Sequence, residues 1–119
     1  MASVLCTGVD QSLLTTRRLI LERAGHQVTT AHNEQELIAA CTTGHFDVAV
    51  VGQTVTPRVK RRVLTLLREQ CPGIKVLELF TPSTGRELAD ADDWLLVPAE
   101  VPADLAQRVA ALASQPSGA

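Results

Sequence analysis

A doubly wound α/β sandwich, with one five-stranded parallel sheet covered by helices on both faces, is the fold this sequence predicts. Three observations predict it. Short apolar strands alternate with amphipathic helical stretches from one end of the chain to the other. The run Asp47-Val48-Ala49-Val50-Val51 has no polar alternation, which implies a strand buried on both faces. Helical connections of about 10–15 residues between strands imply right-handed crossovers and parallel neighbours.

Each element has its own signals. Ser3-Val4-Leu5-Cys6 reads as the first strand. Asp10 then caps a helix running to about Ala24, whose apolar stripe is Leu13, Leu14, Ile20, Leu21 and Ala24, and Gly25 stops it. His26 to Thr30 reads as an edge-like second strand. Asn33 stands three positions before Glu36, a capping-box pattern opening a helix to about Thr43, and Gly44 closes it. Asp47 to Val51 is the third strand. Past Pro57, Val59, Val63, Leu66 and Leu67 make the inward stripe of a third helix, broken by Cys71-Pro72-Gly73. Ile74 to Leu79 is a fourth strand and Trp94 to Val97 a fifth. Thr81 to Asp93 is a short connection, with room for about two turns of helix over Gly85-Arg86-Glu87-Leu88-Ala89-Asp90. Ala103 to Ala113 forms the last helix, with Leu105, Val109 and Leu112 inward. Five strands and five helices in this order make a flavodoxin-like three-layer sandwich spanning residues 1–114, and 115–119 read as a flexible tail.

Composition excludes several functions. A formal net charge of −2 gives no overall pull towards nucleic acid or anionic membrane. No apolar stretch approaches bilayer length, and Met1 to Cys6 has neither a basic segment nor a long apolar core, so no secretory signal is expected. Cys6, Cys41 and Cys71 are odd in number and lack metal-ligand spacing. They are read as packing residues in a reducing cytoplasm, not as a disulfide framework. His26, His32 and His45 are too scattered for a metal site. Arg58, Lys60, Arg61 and Arg62, with Arg68, read as a solvated basic face. Opposing them is an acidic set, Glu87, Asp90, Asp92, Asp93, Glu100 and Asp104. Gln53, Thr54 and Thr56 read as loop polarity near the crevice above the strand ends. Trp94 reads as core. Gly8 is isolated, with no Gly-rich phosphate loop around it.

Three strings carry a family resemblance: Leu21-Glu22-Arg23-Ala24-Gly25-His26-Gln27-Val28, Phe46-Asp47-Val48-Ala49-Val50-Val51, and Ala91-Asp92-Asp93-Trp94-Leu95-Leu96-Val97-Pro98. Together, from about Ser3 to Ala113, the chain resembles the CheY-like receiver domain of two-component response regulators. That resemblance implies an acidic pair and a phosphate-accepting aspartate that share Mg²⁺, plus a Thr/Ser and a Lys holding the phosphoryl oxygens. On this sequence the acidic pair falls on Gly8 and Val9, with Asp10 next to them. The aspartate falls on Gly52, and the Lys on Val97. The Thr/Ser falls on Phe80, or on Thr81 with a one-residue slip. Pro98 remains and is expected to keep a cis peptide.

The resemblance with these losses implies a phosphorylation-independent pseudo-receiver. It would be a cytoplasmic, non-enzymatic signalling module with no cofactor and no metal, acting on another signalling protein or on a second copy of itself. No direct nucleic-acid or membrane partner is expected. A second reading is a small-ligand sensor whose neutralised pocket lies above Gly52, beside Phe80 and Val97. A third is a conventional phosphorelay receiver with unusual acids.

Overall fold

The strands pair as the alternation of elements requires. The computed structural model describes residues 2–98 and 103–115. In chain order the elements are β1 (Ser3–Thr7), α1 (Gln11–Arg23), β2 (Gln27–Ala31), α2 (Glu34–Thr43), β3 (Val48–Val51), α3 (Pro57–Gln70), β4 (Lys75–Phe80), β5 (Asp93–Leu96) and α4 (Ala103–Ala113). All five strands are parallel, in the order β2-β1-β3-β4-β5. The order reverses between β1 and β3, so a crevice opens above their C-terminal ends. Glu100 and residues 116–119 of the expected tail lie outside the described residues.

Period-two alternation sends neighbouring side chains to opposite faces. Val4, Cys6, Val48, Val50, Leu77, Leu79 and Leu95 pack under α1 and α4, against Leu14, Leu21, Leu105, Val109 and Leu112. Leu5, Ala49, Val51 and Val76 pack on the other face under α2 and α3, against Leu37, Val63, Leu66 and Leu67. Local chemistry sets the helix ends. Asp10 accepts the Leu13 N–H at 3.1 Å and Asn33 accepts the Glu36 N–H at 2.9 Å. Glu36 in turn accepts the His32 N–H at 2.7 Å. At the other end of α1, Gly25 takes φ 94°, which lets Gly25 N–H bond Glu22 O and His26 N–H bond Leu21 O.

Four helices form among the described residues, and the short helix expected over Gly85–Asp90 is not one of them. The segment is a loop that fills the helix's place on the α2–α3 face, where Leu88 and Ala91 are buried in the core. A strand residue anchors two of its backbone donors. The Glu78 carboxylate accepts the N–H groups of Glu87 and Leu88 at 2.9 Å each. Gly85, at φ 68°, turns the chain left-handed just before them. Trp94 Nε1 donates to Leu88 O at 3.0 Å, and Arg86 lies 4.9 Å above the Trp94 ring and 5.5 Å from the Phe80 ring.

Beneath that loop sits a buried ion pair. Lys60 Nζ lies 2.8 Å from Glu78 Oε2 and donates to Leu79 O at 2.9 Å, with the two side chains 1% and 0% exposed. Lys60 is therefore not part of a solvated basic face, and Val59, expected inward, is 44% exposed. Arg58, Arg61, Arg62 and Arg68 are exposed, as a solvated face requires, and three of them make surface ion pairs. Arg62 pairs with Glu34 at 2.9 Å, Arg61 with Glu87 at 3.2 Å, and Arg68 with Asp92 at 3.5 Å. Arg61 and Arg68 thus reach two members of the acidic set, Glu87 and Asp92.

The cysteines are not all packing residues, contrary to expectation. Cys41 at the end of α2 and Cys71 just past α3 form a disulfide, with Cα atoms 5.4 Å apart. The two helices pack side by side on one face, so their ends meet although 30 residues separate the cysteines in sequence. Cys6 is buried and free, as a packing residue. Thiol titration of protein purified without reductant and then denatured should find one reactive thiol, rising to three after reduction. Three thiols before reduction would refute the bond. With Cys41 and Cys71 bonded, the cysteines no longer point to a reducing compartment. Separately, no helix among the described residues is long and apolar enough to cross a membrane.

Candidate functional site

Parallel register brings the glycines together. Thr7 faces Val51 across the β1–β3 ladder, so Gly8 and Gly52 leave the sheet side by side. Gly52 N–H donates to Thr7 O at 3.0 Å, continuing the ladder one step past the strand. A Cβ on Gly52 would lie 3.0 Å from Arg17 Nη1 and 3.2 Å from Thr7 O, tighter than side chains normally approach. Gly52 is thus more than a missing aspartate. It is the residue that lets an arginine lie over the end of β3.

Arg17 comes from the middle of α1 and is only 7% exposed. Its Nη2 donates to Gln53 Oε1, the only hydrogen bond its guanidinium makes among the described residues. No carboxylate pairs with it there. Burial lowers its pKa, with Cys6 and Asp10 acting the other way, yet a guanidinium stays protonated at physiological pH. Burial pushes the Cys6 thiol up to about 12, so Cys6 is neutral. Asp10 is then the negative charge that offsets Arg17, and it is an exposed helix cap. The site read from sequence as neutral therefore carries a buried positive charge.

Beside Arg17 a groove of about 360 Å³ runs between α1 and α4. Its walls are Leu13, Ile20, Leu79, Leu95, Val97 and Leu105, with Pro98 at the rim. Arg17, Gln53, Thr16 and Thr81 are its polar members. Gln53 follows β3 and Thr81 follows β4, so these two stand at the end of the groove nearest the strand termini.

The sequence-predicted positions divide between two faces. Gly52 lies under Arg17 with Gly8 beside it, and Thr81, Val97 and Pro98 line the groove. The Val97–Pro98 peptide is cis. Thr81 Oγ1 lies 3.0 Å from Thr84 Oγ1 and 3.1 Å from Ser83 Oγ, so its hydroxyl is engaged within its own turn. Phe80 belongs to the opposite face, beneath Arg86. Val9 also turns away, 54% exposed, to a smaller cleft of about 70 Å³ shared with Val55 and Val59. Thr54 and Thr56 are exposed loop residues, whereas Gln53 is the partner of Arg17. His26 is buried, with Nδ1 accepting the Ala2 N–H at 3.1 Å.

These residues do not fit a magnesium ion. Mg²⁺ takes oxygen ligands, usually one or two carboxylates with phosphate and water. Here the strand-end positions are Gly8, Val9 and Gly52, and the remaining acid, Asp10, is the cap of α1. A cation beside Gly52 would also face the Arg17 guanidinium. Among the described residues no group of three or more His, Cys, Asp or Glu side chains is placed to hold a metal.

No protein-family model matches the sequence, and no curated protein matches it. The fold, by contrast, has many solved counterparts. It superposes on the receiver domain of a Francisella response regulator with a TM-score of 0.77 at 23% identity, over 95% of this chain and 97% of that one. Against the Vibrio cholerae chemotaxis response regulator CheY4 the TM-score is 0.76 at 24% identity, covering 94% and 98% of the two chains. Against the Thermotoga maritima response regulator TrrA, solved in complex with Mg²⁺ and BeF, it is 0.74 at 16% identity, covering 94% and 99%. The chain has the fold of response-regulator receiver domains, carried with a buried arginine at the end of its third strand.

Proposed function

We propose that this chain is a phosphorylation-independent pseudo-receiver, a non-catalytic signalling module that acts through contacts with another protein. The single observation behind it is the Arg17 guanidinium lying over Gly52. Aspartyl phosphorylation needs a carboxylate nucleophile and a bound metal to neutralise developing charge. This site offers a fixed cation and no nucleophile. The cytoplasmic expectation now rests on the signalling reading alone. The loop tied down by Glu78 gives the β4–β5 side a surface unlike that of a helix, so the partner, or a second copy of the chain, would meet a different contour.

Incubation with Mg²⁺ and acetyl phosphate tests the proposal, with intact mass as the readout and a phosphorylatable receiver as control. No mass gain is expected. A gain of one phosphoryl group mapped to an aspartate would sink it. Gly52→Asp is also expected to remain unmodified, because the new carboxylate would pair with Arg17 while Gly8 and Val9 still supply no metal ligands. A second reading, a small-ligand sensor, is favoured by the open groove beside Arg17. Its pocket lies along α1 and α4, on the Val97 side and away from Phe80.

A further inference from the structure

We propose that the groove between α1 and α4 binds a small amphipathic organic acid, with its carboxylate on Arg17 and its apolar body against Leu13, Ile20 and Leu105. The proposal deepens the ligand-sensor reading, and its test leaves the pseudo-receiver reading standing or falling on its own evidence of phosphorylation.

Three observations select this chemistry. First, Arg17 is more than nine-tenths buried and keeps a charge that no carboxylate among the described residues pairs with directly, the exposed Asp10 acting on it only through space. A guanidinium has five donors, and a single acceptor, Gln53 Oε1, takes one of them. Removing a cation from water without an anion is costly, so an incoming anion gains more here than at an exposed arginine. Second, the groove of about 360 Å³ is of small-molecule size and walled mainly by aliphatic side chains. A bare inorganic anion would leave that apolar surface wet. Third, Arg17 is the only cationic side chain among its described lining residues. One positive charge matches a monocarboxylate, which the planar guanidinium can grip with two parallel hydrogen bonds. A phosphate dianion would retain an unbalanced charge. The position agrees with the tendency of open α/β sheets to bind ligands beyond the carboxyl ends of their strands.

The test is calorimetric titration of the whole chain with hexanoate, its neutral isostere hexanamide, and hexylamine. Acetate and inorganic phosphate serve as anions without an apolar body. Hexanoate should bind at least about tenfold more tightly than hexanamide, the equivalent of one charge-assisted hydrogen-bonded contact. Acetate and phosphate should bind more weakly than hexanoate, and hexylamine should not bind. Methyl NMR shifts should map to Leu13, Ile20 and Leu105. Arg17→Met should erase the preference for hexanoate over hexanamide. Val97→Glu, which adds a carboxylate to the lining of the same groove, should weaken hexanoate binding while leaving the arginine in place. Equal binding of acid and amide, tighter binding of phosphate, shifts confined to the Val9–Val59 cleft, or no binding at all would each overturn the proposal.

Discussion

Replacing Lys60 with Met is expected to cost about 3–5 kcal/mol of folding stability, the usual result of leaving one member of a buried ion pair alone. Lys60 and Glu78 are essentially inaccessible to solvent, and the lysine also satisfies Leu79 O. Without it, the Glu78 charge stays buried against the Glu87 and Leu88 amides. Urea denaturation followed by circular dichroism reads the loss as a lower midpoint. The companion variant Glu78→Leu should be more damaging still, by a different route. It strands the lysine and also removes the acceptor for two loop N–H groups, each worth about 1–3 kcal/mol when buried and unpaired. The double variant Lys60→Met with Glu78→Leu should therefore recover only part of the loss. In both Glu78→Leu variants, amide exchange at Glu87 and Leu88 should accelerate more than exchange in the sheet. A Lys60→Met protein within about 1 kcal/mol of the parent would show that the pair is not buried as described.

The frame was legible because it rests on local signals. Asp10, the Asn33–Glu36 box, Gly25 and the apolar run Val48–Val51 each act within a few residues of themselves, and the elements they mark formed where these signals placed them. What stayed hidden were pairings across the fold. Arg17 falls between Leu13 and Leu14 on one side and Ile20 and Leu21 on the other, on the same helical stripe. Lys60 stands three residues before Val63 and seven before Leu67, again on the stripe. Glu78 interrupts the apolar strand Val76-Leu77-Glu78-Leu79. A charge at a core-facing period is a signal of a buried polar group, and reading those three residues by period instead of by type would have marked them. Their partners, however, are distant in sequence and only the packing joins them. The same holds for Cys41 and Cys71. The loop that stands where a helix was expected over Gly85–Asp90 has an anchor of the same kind, since Glu78 holds its Glu87 and Leu88 amides from across the fold.

The Arg17 charge should be costly to the fold, and its removal should show this as a gain. Arg17→Met keeps the length and the apolar stem while deleting a cation that is buried with a neutral partner. An increase of about 1–3 kcal/mol in unfolding free energy is expected, because a buried charge without a directly paired counter-ion gives up more hydration than one amide contact returns. Gln53 is only half-buried, so it can find water once its partner is gone. Gly52→Asp separates this explanation from simple repacking. In the parent, the new carboxylate would meet Arg17 beside the position where an added Cβ would stand 3.0 Å from Nη1. The ion pair then offsets the crowding against Thr7 O. In the Arg17→Met background the same aspartate would be buried without a cation and should be strongly destabilising. The double-mutant cycle should thus give a favourable coupling between Arg17 and the carboxylate introduced by Gly52→Asp, of about 1–3 kcal/mol. A stabilised protein that had also lost hexanoate selectivity would mean that a stability cost is retained for the sake of a binding charge, a common trade at functional sites. If Arg17→Met instead lowered stability by more than about 1 kcal/mol, the guanidinium would be a structural element of the core. Gly52 would then be its accommodation rather than the mark of a site.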